Sequence, residues 1–120
     1  MMTFYNRIGM GFGALLALFT PQAEAAALHD GKFDGGTYDA YFGPVQVEVT
    51  VLGGQVTDAQ ALQYPDHRRT SIAINNQALP WLKKEAVQAQ NSRINIISGA
   101  TLTSRAYIKS LADAIKAASN

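Results

Sequence analysis

The chain has 120 residues, enough for one domain, with 48% hydrophobic and 16% charged residues and a formal net charge of +1. The longest basic runs are the pairs Arg68-Arg69 and Lys83-Lys84, too little to neutralise several phosphates on one surface, so nucleic acid is not an expected partner. The absence of cysteine excludes disulfides, Cys-ligated iron–sulfur clusters, c-type haem attachment and a lipid-modified Cys, and the isolated His29 and His67 do not make a metal site.

The N-terminus has the layout of an export signal. A short start carrying Arg7 leads into the apolar run Ile8–Phe19, too short for a membrane span of ~20 residues. Pro21 follows, then Ala23-Glu24-Ala25 as a cleavage signature. Residues 1–25 are therefore expected to be a secretory signal peptide, with cleavage after Ala25 and Ala27 as the next candidate. That leaves a soluble exported domain over 26–120, with a periplasm as the expected compartment.

A first strand is expected within Phe33–Phe42, with Gly35-Gly36 near its start. After Gly43-Pro44, Val45, Val47, Val49 and Val51 alternate with Gln46, Glu48 and Thr50, the pattern of an antiparallel strand with one buried face. Gly53-Gly54 suits a two-residue hairpin that sets Val51 opposite Val56. The apolar phase of Gln55–Tyr64 shifts near Asp58 and again at Leu62, and a bulge accounts for the first shift.

Thr70 or Ser71 is expected to cap a helix running to about Ala78, and Pro80 to open a second, with Leu79, Leu82, Ala86 and Ala89 on its apolar face. Ile94, Ile96 and Ile97 predict a short strand. A last helix from Thr103-Ser104 turns Tyr107, Ile108, Leu111, Ala112 and Ile115 to the core and Lys109, Ser110, Asp113 and Lys116 to solvent. The expected fold is α+β: a small antiparallel sheet from 33–64 and 94–97 packed by two or three helices.

Chemistry concentrates in Ser98-Gly99-Ala100-Thr101-Leu102-Thr103-Ser104. Four hydroxyls and a small-residue turn stand directly before a helix, whose first N–H groups and positive dipole end suit a phosphate. Gly99 and Ala100 allow close approach, and Ser98, Thr101, Thr103 and Ser104 can donate to phosphate oxygens; the same residue types also serve as an ordinary helix cap.

Ser98-Gly99-Ala100-Thr101 followed by Leu102-Thr103-Ser104 resembles the flavinylation motif of the FMN-binding domain family, found also in subunits of the sodium-translocating NADH:quinone reductase and related membrane complexes. The resemblance spans about residues 33–117. It takes in Gly36-Thr37-Tyr38, Gly43-Pro44-Val45-Gln46-Val47, Gly53-Gly54, Val56-Thr57-Asp58, Arg68-Arg69, Ile74-Asn75, the Pro80 helix and Tyr107-Ile108. It implies FMN held covalently as a phosphoester on Thr101, with Thr103 the next candidate. The acceptor is loaded by a flavin transferase that uses FAD and Mg²⁺ and releases AMP. Three residues before the motif serine the family carries Asp, and here stands Asn95, which keeps the shape and loses the charge.

A flavin ring needs an apolar or aromatic shelf, for which Tyr41, Tyr64 and Trp81 are candidates, and Arg68 and Arg69 could stabilise an anionic reduced ring. No Ser-His-Asp set, paired-carboxylate motif or GxGxxG is present, and no small-molecule substrate suggests itself. The expected function is an electron-transfer flavoprotein that serves a membrane redox partner without substrate turnover of its own. The alternative is a module that binds flavin non-covalently or docks a partner.

Overall fold

A computed structural model describes residues 28–120; the expected signal peptide lies outside the described residues. The elements in chain order are β1 (Gly31–Asp34), β2 (Tyr38–Asp39), β3 (Pro44–Leu52), β4 (Gln55–Gln63), α1 (Arg69–Ala89) and α2 (Thr101–Ser119). All strand pairs are antiparallel, and the fold is α+β, as expected. β3 is central: β1 and β2 pair with successive stretches of one edge and β4 with the other.

The valine alternation decides which face is covered. Val45, Val47, Val49 and Val51 are fully buried, while Gln46, Glu48 and Thr50 between them are half-exposed. Both helices close the valine face in one core with Val56, Ala59, Leu82, Ala86, Tyr107, Leu111 and Ala114. Burial of each valine contributes roughly 1.5–3 kcal/mol. Gly53 and Gly54, at φ 62 and 78, form the hairpin turn that needs positive φ at both central residues and sets Val51 opposite Val56. The register slips by one residue between Thr50 and Val51, opposite Thr57, which is the expected bulge, and again between Gln46 and Val47, opposite Leu62.

α2 lies close against the sheet because β1 is followed by Gly35, where a Cβ would stand 1.9 Å from the Ser110 carbonyl oxygen. The Ser110 hydroxyl accepts the Val47 N–H at 2.8 Å, and the Val47 carbonyl accepts the Gly35 N–H at 2.8 Å. Ser110 is therefore buried, not on the solvent face expected for it, whereas Ala112 is exposed. The Gly35 carbonyl, which would pair with the Val47 N–H in an unbroken ladder, accepts Gln46 Nε2 at 3.0 Å instead, so that N–H on the β1 edge draws the Ser110 hydroxyl inward.

Four other features differ from the expectation. Arg69–Ala89 is one helix with Pro80 inside it. Pro80 lies on its exposed side, and Asn75, Ala78, Leu82 and Ala86 keep one buried face running past it, so packing outweighs the single lost hydrogen bond. The N-cap is Arg68, without a side-chain cap, and Thr70 and Ser71 sit in the first turn. Residues 94–97 are not a strand: the Asn95 N–H donates to Glu85 Oε1 and the Ile97 N–H to Ser104 Oγ, so side chains take the donors a ladder would need. α2 begins at Thr101, two residues earlier than expected.

Candidate functional site

The segment before α2 is a closed turn. The Ala100 N–H donates to the Ile97 carbonyl at 2.9 Å around Ser98-Gly99, and Gly99 has φ 84, the positive value a type II turn demands at its third residue. Open space surrounds the Cβ direction of Gly99, so the backbone angle and not crowding calls for glycine. Ser104 then fastens the turn to the helix: its Oγ donates to the Ala100 carbonyl at 2.7 Å and accepts the Ile97 N–H at 3.0 Å. The Ser104 N–H makes the first helical bond, to Ala100, and no side chain caps the helix. The N–H groups of Thr101, Leu102 and Thr103 are left without an intrahelical acceptor, at the positive end of the helix dipole.

This helix start forms one wall of a cavity of about 290 Å³. Gly99, Ala100, Thr101, Leu102 and Thr103 meet Ala40 and Phe42 from the β2–β3 loop, Pro65 from the β4–α1 connection, and Ser71, Ile74 and Asn75 from α1. A second cavity of about 200 Å³ shares Ile74, Gly99 and Ala100 and is completed by Gln77, Ala78, Trp81, Ile97 and Ser98. The Ser98–Ala100 turn thus lies along two adjoining hollows.

The hydroxyls of the motif differ in access. Thr101 and Ser98 are exposed, Thr103 is buried on the cavity wall, and Ser104 is fully buried with its proton given to Ala100. Among the aromatic candidates, Trp81 reaches the second cavity and is 56% exposed. Tyr64 is half-buried and adjoins Pro65 without lining the main cavity, and Tyr41 stands outward on the neighbouring loop. Asn95 shares a third hollow with Trp81, Lys84, Glu85 and Arg93, beyond the turn. Arg69 is exposed in the first turn of α1 and does not line the main cavity; Arg68 lies over the Phe42 ring at 5.2 Å, on the cavity's rim.

The β2–β3 loop is bent to bring Phe42 there. Tyr41 has φ 73, and the Phe42 N–H closes onto the Ala40 carbonyl at 2.9 Å across it. Such a γ-turn costs of order 1–3 kcal/mol for a residue with a side chain. The Tyr41 N–H bond to Asp39 Oδ1 at 2.9 Å and the Ala40 N–H bond to Gly43 O at 2.9 Å help hold it.

Asn75 is a site residue to which the sequence reading gave no role. It is 1% exposed; its Nδ2 donates to the Pro65 carbonyl at 2.9 Å, and its Oδ1 has no partner among the described residues. The available signal was its position: a polar residue on a helix face whose other buried members are Ala78, Leu82 and Ala86.

Free N–H donors at a helix start, beside a cavity walled by Ala40, Phe42, Pro65, Ile74 and Leu102 with the hydroxyl residues Ser71, Thr101 and Thr103, suit a ligand that joins a phosphate to an apolar part. The family model described as FMN-binding domain matches residues 41–116, and the chain belongs to that family. It is a flavin-binding protein, and the residues of the site fit the group: N–H donors for phosphate and apolar walls for the ring. The crystal structure of a structural-genomics target protein from Clostridium perfringens shares the fold, with a TM-score of 0.63 at 21% identity over 76% of this chain and 88% of that one. No curated protein matches the sequence significantly.

Proposed function

We propose that the protein carries FMN as a phosphoester on Thr101 and serves as an exported electron carrier for a membrane redox system. The observation that carries this reading is the distribution of access along the motif. Thr101 is the exposed hydroxyl that lines the main cavity, while Thr103 is buried and Ser104 is bonded within the turn.

In the loading step the Thr101 Oγ forms a bond to the FMN phosphorus of FAD. The pyrophosphate bond to AMP breaks, AMP leaves, and the threonine proton is lost. The chain's part is to present Oγ on the first residue of α2 and to receive the phosphate oxygens on the free N–H groups of the first turn. Flavin transferase and Mg²⁺ supply the chemistry of transfer. Glu85 brings a carboxylate to 2.9 Å from the Asn95 nitrogen, so a negative charge stands beside the position where the family has Asp.

Once bound, FMN supplies one- and two-electron redox chemistry. Ala40, Phe42, Pro65, Ile74 and Leu102 exclude water from the part of the ring they cover, and Arg68 on the rim favours negative charge there. Phe42 and Leu102, which line the cavity and are partly exposed, offer a membrane-bound redox partner an apolar surface beside the flavin. Among the described residues no helix is long and apolar enough to cross a membrane.

The test is intact mass after co-expression with a flavin transferase. Wild type and Thr103→Ala are expected to gain the mass of FMN less water, and Thr101→Ala to gain nothing. Modification of Thr101→Ala but not Thr103→Ala would move the acceptor to Thr103. Modification only after Asn95→Asp would favour the non-covalent reading for the natural chain. N-terminal sequencing of the same product is expected to begin at Ala26, and a full-length cytoplasmic product would end the export reading.

A further inference from the structure

The two helices of the fold begin alike, and they begin at the same cavity. α1 follows its N-cap Arg68 and α2 its N-cap Ala100; neither start is closed by a side chain or carries an acidic residue in its first turn. The first helical bonds run from the Ile72 N–H to Arg68 and from the Ser104 N–H to Ala100. The N–H groups of Arg69, Thr70 and Ser71 on α1 are therefore without an intrahelical acceptor, like those of Thr101, Leu102 and Thr103 on α2. The third position of each first turn is a hydroxyl residue, Ser71 on one helix and Thr103 on the other, and both line the main cavity.

The Thr103 hydroxyl is an independent sign of a ligand at this wall. Thr103 is 6% exposed. The other buried hydroxyls of α2 are committed to the fold: Ser104 bonds to Ala100 and Ile97, Ser110 to Val47, and Tyr107 to Ala59. Thr103 Oγ1 has no hydrogen-bond partner among the described residues, yet it is not fully enclosed. A buried hydroxyl that the fold leaves unbonded on a cavity wall is a donor held for something in the cavity.

The charge of that something can be narrowed. No charged side chain lines the cavity, so the helix ends set its field. Each contributes roughly half a positive charge, and the two together match the single negative charge of a phosphodiester. Arg68, the N-cap of α1, adds the same sign at the rim, over the Phe42 ring at 5.2 Å. Attachment at Thr101, the first residue of α2, puts the phosphorus one ester bond from the wall that Ser71 completes.

We propose that the start of α1, through the Ser71 hydroxyl and the free N–H groups beside it, is the second half of a phosphate cradle whose first half is the start of α2 with Thr103. This rests on the flavin-holding reading and adds to it a phosphate-binding residue from outside the motif. Ser71 holds the phosphate by hydrogen bonding and takes no part in its transfer.

The test compares FMN with riboflavin, which lacks only the phosphate, by titration into the full chain made without a transferase and followed by quenching of flavin fluorescence. Wild type is expected to prefer FMN at least tenfold, which corresponds to about 1.4 kcal/mol. Ser71→Ala is expected to lose most of that preference. Ser71→Asp is expected to abolish it, although a carboxylate in the first turn favours the helix itself and the urea midpoint is expected to hold. Ser71→Asn, of the same size as Asp and uncharged, is expected to keep more of the preference than Asp. Riboflavin binding is expected to change less than twofold throughout. A serine with a merely structural role would weaken both flavins together and leave their ratio intact, and that result overturns the proposal. Equal binding of FMN and riboflavin by wild type overturns it too, and so does a preference that persists in Ser71→Asp. Failure of wild type to bind either flavin overturns it together with the flavin-holding reading, whereas binding of both with a ratio insensitive to residue 71 overturns this proposal alone.

Discussion

The hydroxyl of Ser104 accepts the backbone N–H of Ile97 at 3.0 Å, joining the first turn of α2 to the residue that precedes the motif. Its proton goes to the Ala100 carbonyl, so the loop and the helix start are held as one rigid piece. The Thr101 side chain is thereby presented from a turn that does not depend on the flavin for its shape. Ser104 acts on the acceptor through the backbone, as a brace.

Replacing that brace has a two-part consequence. Ser104→Ala leaves the Ile97 N–H without its partner and is expected to cost about 1–3 kcal/mol in urea unfolding. Flavin loading on Thr101 is expected to fall as well, although the acceptor hydroxyl is untouched, and intact mass after a short co-expression reads it. Unchanged stability together with unchanged loading would show that the brace is dispensable.

Tyr107 makes stability depend on alkaline pH. Its ring is buried between α2 and the sheet, and its hydroxyl donates to the Ala59 carbonyl. Burial, and to a smaller degree the nearby Asp58 charge, push its phenol well above the usual tyrosine range. The folded state therefore keeps the proton that the unfolded chain releases from about pH 10 upward. The contribution of Tyr107 is complete below that pH and falls by about 1.4 kcal/mol per pH unit above it, until the folded phenol itself ionises. Tyr107→Phe is expected to be less stable near neutrality by about 1 kcal/mol and to decline less steeply between pH 10 and 11. Urea midpoints of the two proteins across that range check this, and parallel declines would contradict it. Tyr38, whose phenol is also raised, chiefly by its hydrogen bond to Asp113, is present in both proteins and cancels.

Val49 tests the sheet directly. It is fully buried beneath the helices, paired with Phe33 on one side and Ala59 on the other. Val49→Asp places an unpaired carboxylate in that core, at a cost of several kcal/mol, comparable with the whole stability of a small domain. Loss of the cooperative urea transition is the expected result, and a wild-type transition would contradict the assignment of the buried face.

Much of the scaffold was legible in the sequence because the signals are local. A strand with one buried face must alternate, and Val45–Val51 do; a two-residue hairpin needs positive φ twice, and Gly53-Gly54 supply it. The helix-start motif at Ser98–Ser104 was visible for the same reason, since turn and helix N-terminus are neighbours in the chain.

What tertiary structure alone decided concerns partners far apart in sequence. The continuity of α1 through Pro80 depends on a buried face packed on β4, and residues 94–97 stay outside the sheet because Glu85 and Ser104 take their N–H groups. Ser110 turns inward for the Val47 N–H, left over because the Gly35 carbonyl beyond β1 is taken by Gln46. The walls of the cavity come from four separate stretches of chain, and the unpaired oxygen of Asn75 exists only because the Pro65 carbonyl claims the other end of the amide. Periodicity records how one element meets solvent and core; it carries no information about which distant group will satisfy a buried polar atom.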